Sequence, residues 1–221
     1  MLFIVSTPIG NLKDITLRAV ETLKSADFII AENPAHSSRL LQHYQIPKKK
    51  IIQFAEHNEH KALPNIISQL STANGALITD AGTPGISDPG FRLVRACVEA
   101  GIKVVPIPGP SAVIAALSAA GLPTDRFLFV GFLPRKENSL IKTVRLAKET
   151  ASTLIGYDSP FRIAKTVELI AKNFPEAKVV VARELTKVYE EFIRGTAEQV
   201  STDLKSKRTI KGEITILISF K

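Results

Sequence analysis

Short apolar runs alternate along this chain with longer segments in which apolar residues recur every three or four positions. Leu2–Ser6 is a run of the first kind. Thr16–Lys24 is a segment of the second kind, because Leu17, Val20 and Leu23 fall on one side of a helix. Since alternating strands and helices pair most readily as βαβ units, the pattern predicts an α/β fold with a mostly parallel sheet.

The last part of the chain departs from this alternation. Three predicted strands follow one another there with only short links, at Lys178–Ala182, Val188–Arg194 and Glu213–Phe220. Short links favour antiparallel pairing, which makes the second sheet a mixed one. A turn-rich segment, residues 121–125, separates the two patterns. We therefore expect two α/β domains, residues 1–121 with a mostly parallel sheet and residues 122–221 with a mixed sheet.

Charge is shared unevenly between the two halves of a chain whose formal net charge is +8. Residues 1–112 hold eleven Lys and Arg against nine Asp and Glu, whereas residues 113–221 hold eighteen against twelve. A polyanion such as RNA should therefore meet the second half more than the first. Four cations of that half are candidate phosphate contacts: Arg162, Arg183, Lys187 and Arg194.

Several classes of site are excluded or disfavoured. The single cysteine, Cys97, cannot form an intramolecular disulfide or a Cys-rich metal site. His57 and His60 lie three residues apart but have no evident third ligand, so we expect no metal centre. Neither a P-loop nor a dinucleotide-binding GxGxxG motif occurs. Prolines break the long uncharged stretch at residues 104–124, and the N-terminus lacks a signal peptide, so we expect a cytoplasmic protein without a membrane span.

Four loops rich in Gly and Pro follow or precede the predicted strands, at residues 7–11, 79–90, 106–112 and 206–212. Ligands of open α/β sheets bind beyond the carboxyl ends of the strands, where glycines let the backbone approach a ligand closely. For any one of these loops, the alternative to ligand binding is that Gly and Pro only form the tight turn that connects two elements. The loop at 79–90 is longer than a simple connection needs. At its end Asp88 is a candidate cap for the next helix.

Six short motifs occur in order along nearly the whole chain. They read TPIGNLKDIT at 7–16, DAGTPGISDPG at 80–90, PGPSA at 108–112, GFLP at 131–134, RELTK at 183–187 and KGE at 211–213. With these motifs the chain resembles the ribosomal RNA small subunit methyltransferase I family of the tetrapyrrole methylase superfamily.

The resemblance implies a function, a cofactor and partners. It implies transfer of a methyl group from S-adenosylmethionine to the 2′-hydroxyl of a cytidine in 16S rRNA of the small ribosomal subunit. It also implies a homodimer, and two α/β domains with the cofactor in the cleft between them. The cofactor-binding residues carried over by motif are Pro8, Ala81, Gly82, Thr83, Ile86, Ser111, Ala112, Tyr157, Leu185 and Gly212.

The chain departs from the family pattern in two places. Where the family has Ala-Glu-Asp-Thr-Arg, this chain has Ala31-Glu32-Asn33-Pro34-Ala35, so a carboxylate, a hydroxyl and a guanidinium are absent. Longer members also carry a segment beyond the KGE motif, and we expect weaker RNA binding without it.

Attack by a ribose hydroxyl requires a group that accepts its proton. The candidate catalytic carboxylates are Glu32, which we rank first, Asp80 and Glu184. Each has a structural alternative: Glu32 as a strand-end hydrogen-bond acceptor, Asp80 as a loop brace and Glu184 as an ion-pair partner of Arg183. Two other functions stay open, a related methyltransferase acting on a small molecule such as a tetrapyrrole and a non-catalytic RNA-binding homologue.

Overall fold

A parallel five-stranded sheet organises the first half of the chain in the computed structural model, which describes residues 1–221. Its strands are β1 (Leu2–Val5), β2 (Phe28–Ala31), β3 (Lys50–Gln53), β4 (Gly75–Ile78) and β5 (Val104–Ile107). They lie in the order β3-β2-β4-β1-β5, and every neighbouring pair is parallel. All five strands therefore end at one edge, and their following loops emerge there.

Helices cover both faces of this sheet. They are α1 (Leu17–Ser25), α2 (Pro34–His43), α3 (Glu59–Leu70) and α4 (Phe91–Glu99). Strand residues alternate between two hydrophobic clusters. Ile29 packs with residues of α1 and α2, whereas Ile30 packs with residues of α3 and α4. Strands buried on both faces explain why the sequence shows continuous apolar runs there.

The second half of the chain forms a mixed sheet with its own helices. Its elements are α5 (Ala112–Ala120), β6 (Phe127–Phe132), α6 (Glu137–Glu149), β7 (Thr153–Asp158), α7 (Ile163–Asn173), β8 (Lys178–Arg183), β9 (Glu191–Thr196), α8 (Ala197–Ser206) and β10 (Ile214–Ser219). The strand order is β6-β7-β10-β8-β9. Only β6 and β7 pair in parallel, because β10 is antiparallel to both of its neighbours and β9 is antiparallel to β8. The predicted α/β fold, with a mostly parallel first sheet and a mixed second sheet, is confirmed.

Helix α8 is the element that sequence analysis missed, since a short link was expected between the last two strands. A capping box begins the helix: the Thr196 hydroxyl accepts from the Gln199 backbone N–H, and the Gln199 side chain accepts from the Thr196 N–H. That Thr-x-x-Gln spacing was the available signal.

The two compact units of the chain are Met1–Ser111 and Ala112–Lys221. This division falls before α5, whereas sequence analysis placed a boundary after residue 121. Helix α5 packs on β10, β7 and β8 and so belongs with the second sheet. Arg194 of β9 reinforces this packing, because its guanidinium donates to the carbonyl oxygens of Ala119 at 2.8 Å and Ala120 at 3.4 Å. We call the two parts unit 1 and unit 2.

No helix combines the length and the apolar character needed to cross a membrane.

Removing the Arg194 guanidinium should destabilise unit 2. Arg194→Ala leaves the last carbonyl groups of α5 without these donors, which we expect to cost about 1–2 kcal/mol of the free energy of unfolding. Arg145→Ala, on the exposed surface of α6, is the matched control. Urea denaturation measures both, and equal stability of the two variants would contradict the assignment of Arg194 to helix capping.

Candidate functional site

Three loops meet at the edge where the strands of unit 1 end. The loop after β1 pairs with the loop after β4, because Thr7 and Gly82 exchange backbone hydrogen bonds of 2.9 and 3.0 Å. The hydroxyl groups of Ser6 and Thr83 lie 3.0 Å apart. Thr83 also donates to the carbonyl oxygen of Pro110, at 3.2 Å, in the loop after β5. Three of the four predicted Gly/Pro-rich loops therefore form one hydrogen-bonded cluster.

Glycines in left-handed backbone conformations shape the central loop. Gly82 and Gly85 have φ angles of 77° and 83°, which side-chain-bearing residues rarely adopt. A Cβ on Gly90 would lie 3.0 Å from the Gly85 nitrogen, so the close approach of these two segments disfavours a side chain at position 90.

The predicted cofactor-binding residues of this cluster differ in exposure. Pro8 and Gly82 are buried, Thr83 and Ser111 are partly buried, and Ala81 and Ile86 are exposed. Buried residues thus hold exposed ones at this edge of the sheet, which suits recognition of a small molecule. Ala112 is partly buried and begins α5, in unit 2.

Two of the predicted catalytic carboxylates come together at this same edge. Glu32 follows β2, and Asp80 follows β4, its neighbour in the sheet. Burial and, next, the Asp80 charge raise the pKa of Glu32, while a backbone hydrogen bond from Asp80 lowers it. The Oδ1 atom of Asp80 is buried and has no hydrogen-bond partner. A site that opposes ionisation in this way is suited to accepting a proton.

Asp88 is a third member of the carboxylate group, and sequence analysis gave it a different role. It was predicted to cap α4, but that helix begins at Phe91 with Gly90 as its N-cap. Burial, followed by the charge of Glu32, raises the pKa of Asp88 to about 6, and the hydrogen bond from the Thr79 hydroxyl opposes this shift. A second aspartate in the same long loop was the only sequence signal.

Glu184, the third predicted catalytic residue, lies in unit 2 and is fully engaged. Its carboxylate accepts from Lys187 at 2.9 Å and from the Glu213 backbone N–H at 3.0 Å. These contacts, the backbone one first, lower the pKa of Glu184. The alternative partner that sequence analysis named, Arg183, pairs instead with Glu191 at 3.1 Å. A carboxylate held in this way is better suited to fixing the loop than to accepting a proton. We call Glu184, Lys187 and Glu213, with the hydrogen bonds that join them, the brace of unit 2.

The remaining predicted cofactor-binding residues border that brace or lie two strands away. Gly212 has a φ angle of 94°, and a Cβ there would overlap the Glu184 carboxyl group. Leu185 is buried in the same loop. Tyr157, on β7, is partly buried and packs edge-to-face against Phe129 and Phe132.

The four cations predicted as phosphate contacts all make contacts within unit 2. Arg162 pairs with the buried Asp158 and donates to the Leu133 carbonyl oxygen. Arg183 binds Glu191, and Lys187 bridges two glutamates. Arg194 binds the end of α5 and stacks on a phenylalanine ring. Sequence reveals charge but not its partners, so these contacts are visible only in the structure.

The segment that departs from the family pattern begins a helix. The Asn33 side chain accepts from the backbone N–H groups of Ala35 and His36, and Pro34 occupies the first turn of α2. Asn33 and Pro34 are thus a favourable helix start, which leaves Glu32 at the end of its strand.

His60 contacts Arg92, and no group of three or more His, Cys, Asp or Glu side chains is placed to hold a metal ion.

Comparisons with known proteins agree on one family. The model of the tetrapyrrole (corrin/porphyrin) methylases matches residues 1–201. The "Ribosomal RNA small subunit methyltransferase I" of Hydrogenobaculum sp. is 45% identical over 219 residues, which cover 99% of this chain and 95% of that protein. The protein of the same name from Escherichia coli O157:H7 is 44% identical over 221 residues, which cover 98% of this chain and 77% of that protein. The crystal structure of diphthine synthase has a TM-score of 0.75 at 14% identity, over 99% of this chain and 89% of that one, which shows a shared fold.

Replacing Asp88 should change how stability depends on pH. Because its pKa is about 6 in the folded chain and 3.8 ordinarily, the folded state keeps a proton that the unfolded state has lost between these values, and stability falls as pH rises through them. We expect Asp88→Asn to be more stable than wild type at neutral pH, with a difference that shrinks on acidification. Urea denaturation across this pH range measures it. Asp125→Asn, at an exposed position, is the control, and a pH-independent difference would contradict the carboxylate assignment.

Gly212→Ala should disturb the brace in unit 2. The new methyl group would displace the Glu184 carboxyl group from Lys187, and alanine is strained at this φ angle. We expect weaker binding of S-adenosylmethionine, measured by isothermal titration. Gly101→Ala, also at positive φ but with open space around it, controls for backbone strain alone. Equal effects of both variants would sink the idea that the contact with Glu184 matters.

Proposed function

The chain belongs to the ribosomal RNA small subunit methyltransferase I family of the tetrapyrrole methylases, and from this premise we propose that it methylates the 2′-hydroxyl of a cytidine in 16S rRNA. It is a methyltransferase that uses S-adenosylmethionine. The observation that carries the proposal is 45% identity over 99% of this chain and 95% of a relative that is named as a methyltransferase of small-subunit ribosomal RNA.

The loop cluster of unit 1 fits the cofactor. Its left-handed glycines set the path of the central loop, and the hydrogen bonds among the Ser6, Thr83 and Pro110 loops hold the exposed residues Ala81 and Ile86 in place. The cofactor supplies an electrophilic methyl group on a positively charged sulfur. In unit 2 Tyr157, Leu185 and Gly212 stay proposed cofactor contacts.

The carboxylate group of Glu32, Asp80 and Asp88 supplies the proton acceptor. A ribose hydroxyl becomes a better nucleophile as it loses its proton, and a base works best when its pKa lies near the operating pH. Mutual repulsion and burial raise the pKa of Glu32 and of Asp88. Either residue can therefore accept a proton that the braced Glu184 cannot. Glu32 remains our first choice, and Asp80 acts by raising its pKa.

The charge of unit 2 favours RNA over a small molecule as the substrate. It holds eighteen Lys and Arg residues and only twelve Asp and Glu residues, and such a surplus of positive charge attracts a polyanion. We extend the proposal to unmodified small ribosomal subunits as the target, to the cytoplasm where those subunits lie, and to a homodimer, which sedimentation equilibrium can test.

Transfer of a labelled methyl group from S-adenosylmethionine to unmodified small ribosomal subunits tests the function directly. We expect one labelled nucleotide, a cytidine whose ribose resists alkaline cleavage on its 3′ side. Label in a base, or in no RNA while the cofactor still binds, would overturn the proposal and favour the small-molecule or non-catalytic alternative.

Glu32→Gln and Asp88→Asn separate the roles of the carboxylates. The residue that accepts the proton should lose about 10²-fold or more in kcat when it can no longer ionise, with little change in the Kd for S-adenosylmethionine. The other variant should shift the pH profile of kcat, because it removes one repelling charge. Glu56→Gln, exposed in unit 1, is the control. Unchanged kcat in both variants would exclude this carboxylate group as the base.

A further inference from the structure

One edge of the sheet in unit 2 carries a set of loops that the proposed chemistry leaves largely unused. Strands β6, β7 and β8 run in the same direction, because β10 is antiparallel to both β7 and β8. They end at one edge, where β9 and β10 begin. The loops there are residues 133–136, 159–162, 184–190 and 207–213, and we call them the loop edge of unit 2.

Large apolar side chains stand exposed on this loop edge. The exposed fractions are 67% for Phe132, 97% for Phe161, 93% for Val188 and 73% for Tyr189. Scattered exposed apolar residues are ordinary, but four at the ends of neighbouring strands indicate a contact surface. Three of the four are aromatic, and a solvent-facing ring offers a flat face on which a nucleobase can stack.

Four unpaired cations lie on the loops of the same edge. Arg135, Lys136, Arg208 and Lys211 are all exposed, and none of their side chains takes part in an ion pair or hydrogen bond of unit 2. Three half-buried cations, Arg162 and Lys187 in these loops and Arg183 at the end of β8, already pair with acidic side chains. The loop edge therefore has one set of cations that holds the loops together and a second set that is free for an anion.

We propose that the loop edge of unit 2 binds single-stranded RNA, with Phe161 and Tyr189 stacking on bases and the four free cations contacting phosphates. The inference rests on the proposed function and names the surface that would take its substrate. Rings can stack only on bases that are not already stacked in a duplex, which selects a single strand. Leu185 and Gly212, proposed as cofactor contacts, belong to the same loops.

A second copy of the chain is a poorer occupant of this surface. A two-fold symmetric contact brings the same patch of both copies together. Four unpaired cations would then face four others, and like charges oppose such a contact. RNA instead offers the opposite charge and flat apolar faces at once.

Two pairs of variants distinguish stacking from charge. Phe161→Ala and Tyr189→Ala should each weaken binding of an unstructured cytidine-rich RNA of about twelve nucleotides by roughly tenfold, with an unchanged salt dependence. Arg135→Glu with Lys136→Glu should weaken binding and reduce the slope of log K against log salt by about 1.4. Fluorescence anisotropy measures both effects, and none of these variants should change the Kd for S-adenosylmethionine.

Matched controls lie at the opposite edge of the same sheet. Phe127 begins β6 and is 43% exposed, and the exposed Lys178 begins β8. Phe127→Ala and Lys178→Glu should bind the RNA like wild type. Thermal unfolding checks that every variant folds, which exposed substitutions should allow.

The outcomes separate this inference from the proposed function. If wild type methylates small subunits but the loop-edge variants bind RNA and methylate with unchanged KM, the surface is wrong and the function stands. A change in sedimentation of the aromatic variants with normal RNA binding would make the surface an interface between copies and overturn the inference. If wild type fails to methylate RNA yet binds it through the loop edge, the proposed function fails and the surface stands.

Discussion

The backbone pairing of Thr7 with Gly82 is the contact on which the candidate site of unit 1 depends. It exists because β1 and β4, distant in sequence, are neighbours in the sheet. Their loops leave the same edge side by side, and the Thr83 hydroxyl then reaches the loop after β5. Left-handed glycines make this approach possible, since a Cβ at Gly90 would press on the Gly85 backbone. The strand order thus places the loops after β1, β4 and β5 side by side, where hydrogen bonds join them.

Carboxylates are treated oppositely in the two units. In unit 1 Glu32, Asp80 and Asp88 are gathered without a neutralising cation, and the pKa of Asp88 rises to about 6. In unit 2 Glu184 and Glu191 are each held by basic side chains, and the pKa of both falls. Repulsion of the first kind costs stability, and such costs are found where a proton must be exchanged. The second arrangement only fixes loops.

Cations also divide into two kinds, and this division connects the brace of unit 2 with its surface. Arg162 and Arg183 each pair with a carboxylate and donate to a carbonyl oxygen of a neighbouring loop. These contacts hold the loops in place, while Phe161 and Tyr189 remain exposed to solvent. Two of the residues predicted to bind phosphate therefore also hold the loops of unit 2 together.

The sequence by itself determined the α/β class, the mixed second sheet and the family, because these depend on local periodicity, turn residues and short motifs. It also predicted Glu32 and Asp80 as candidate carboxylates, which the strand order places at one edge of the sheet. It missed α8 and the position of Asp88, and it did not reveal the contacts that Glu184, Arg162 and Arg194 make within unit 2. Those depend on which side chains meet across strands far apart in the chain. Because the partner of a charged side chain is set by the fold, only the tertiary structure decided which carboxylates repel one another, which carboxylates are paired with cations and which cations stay unpaired.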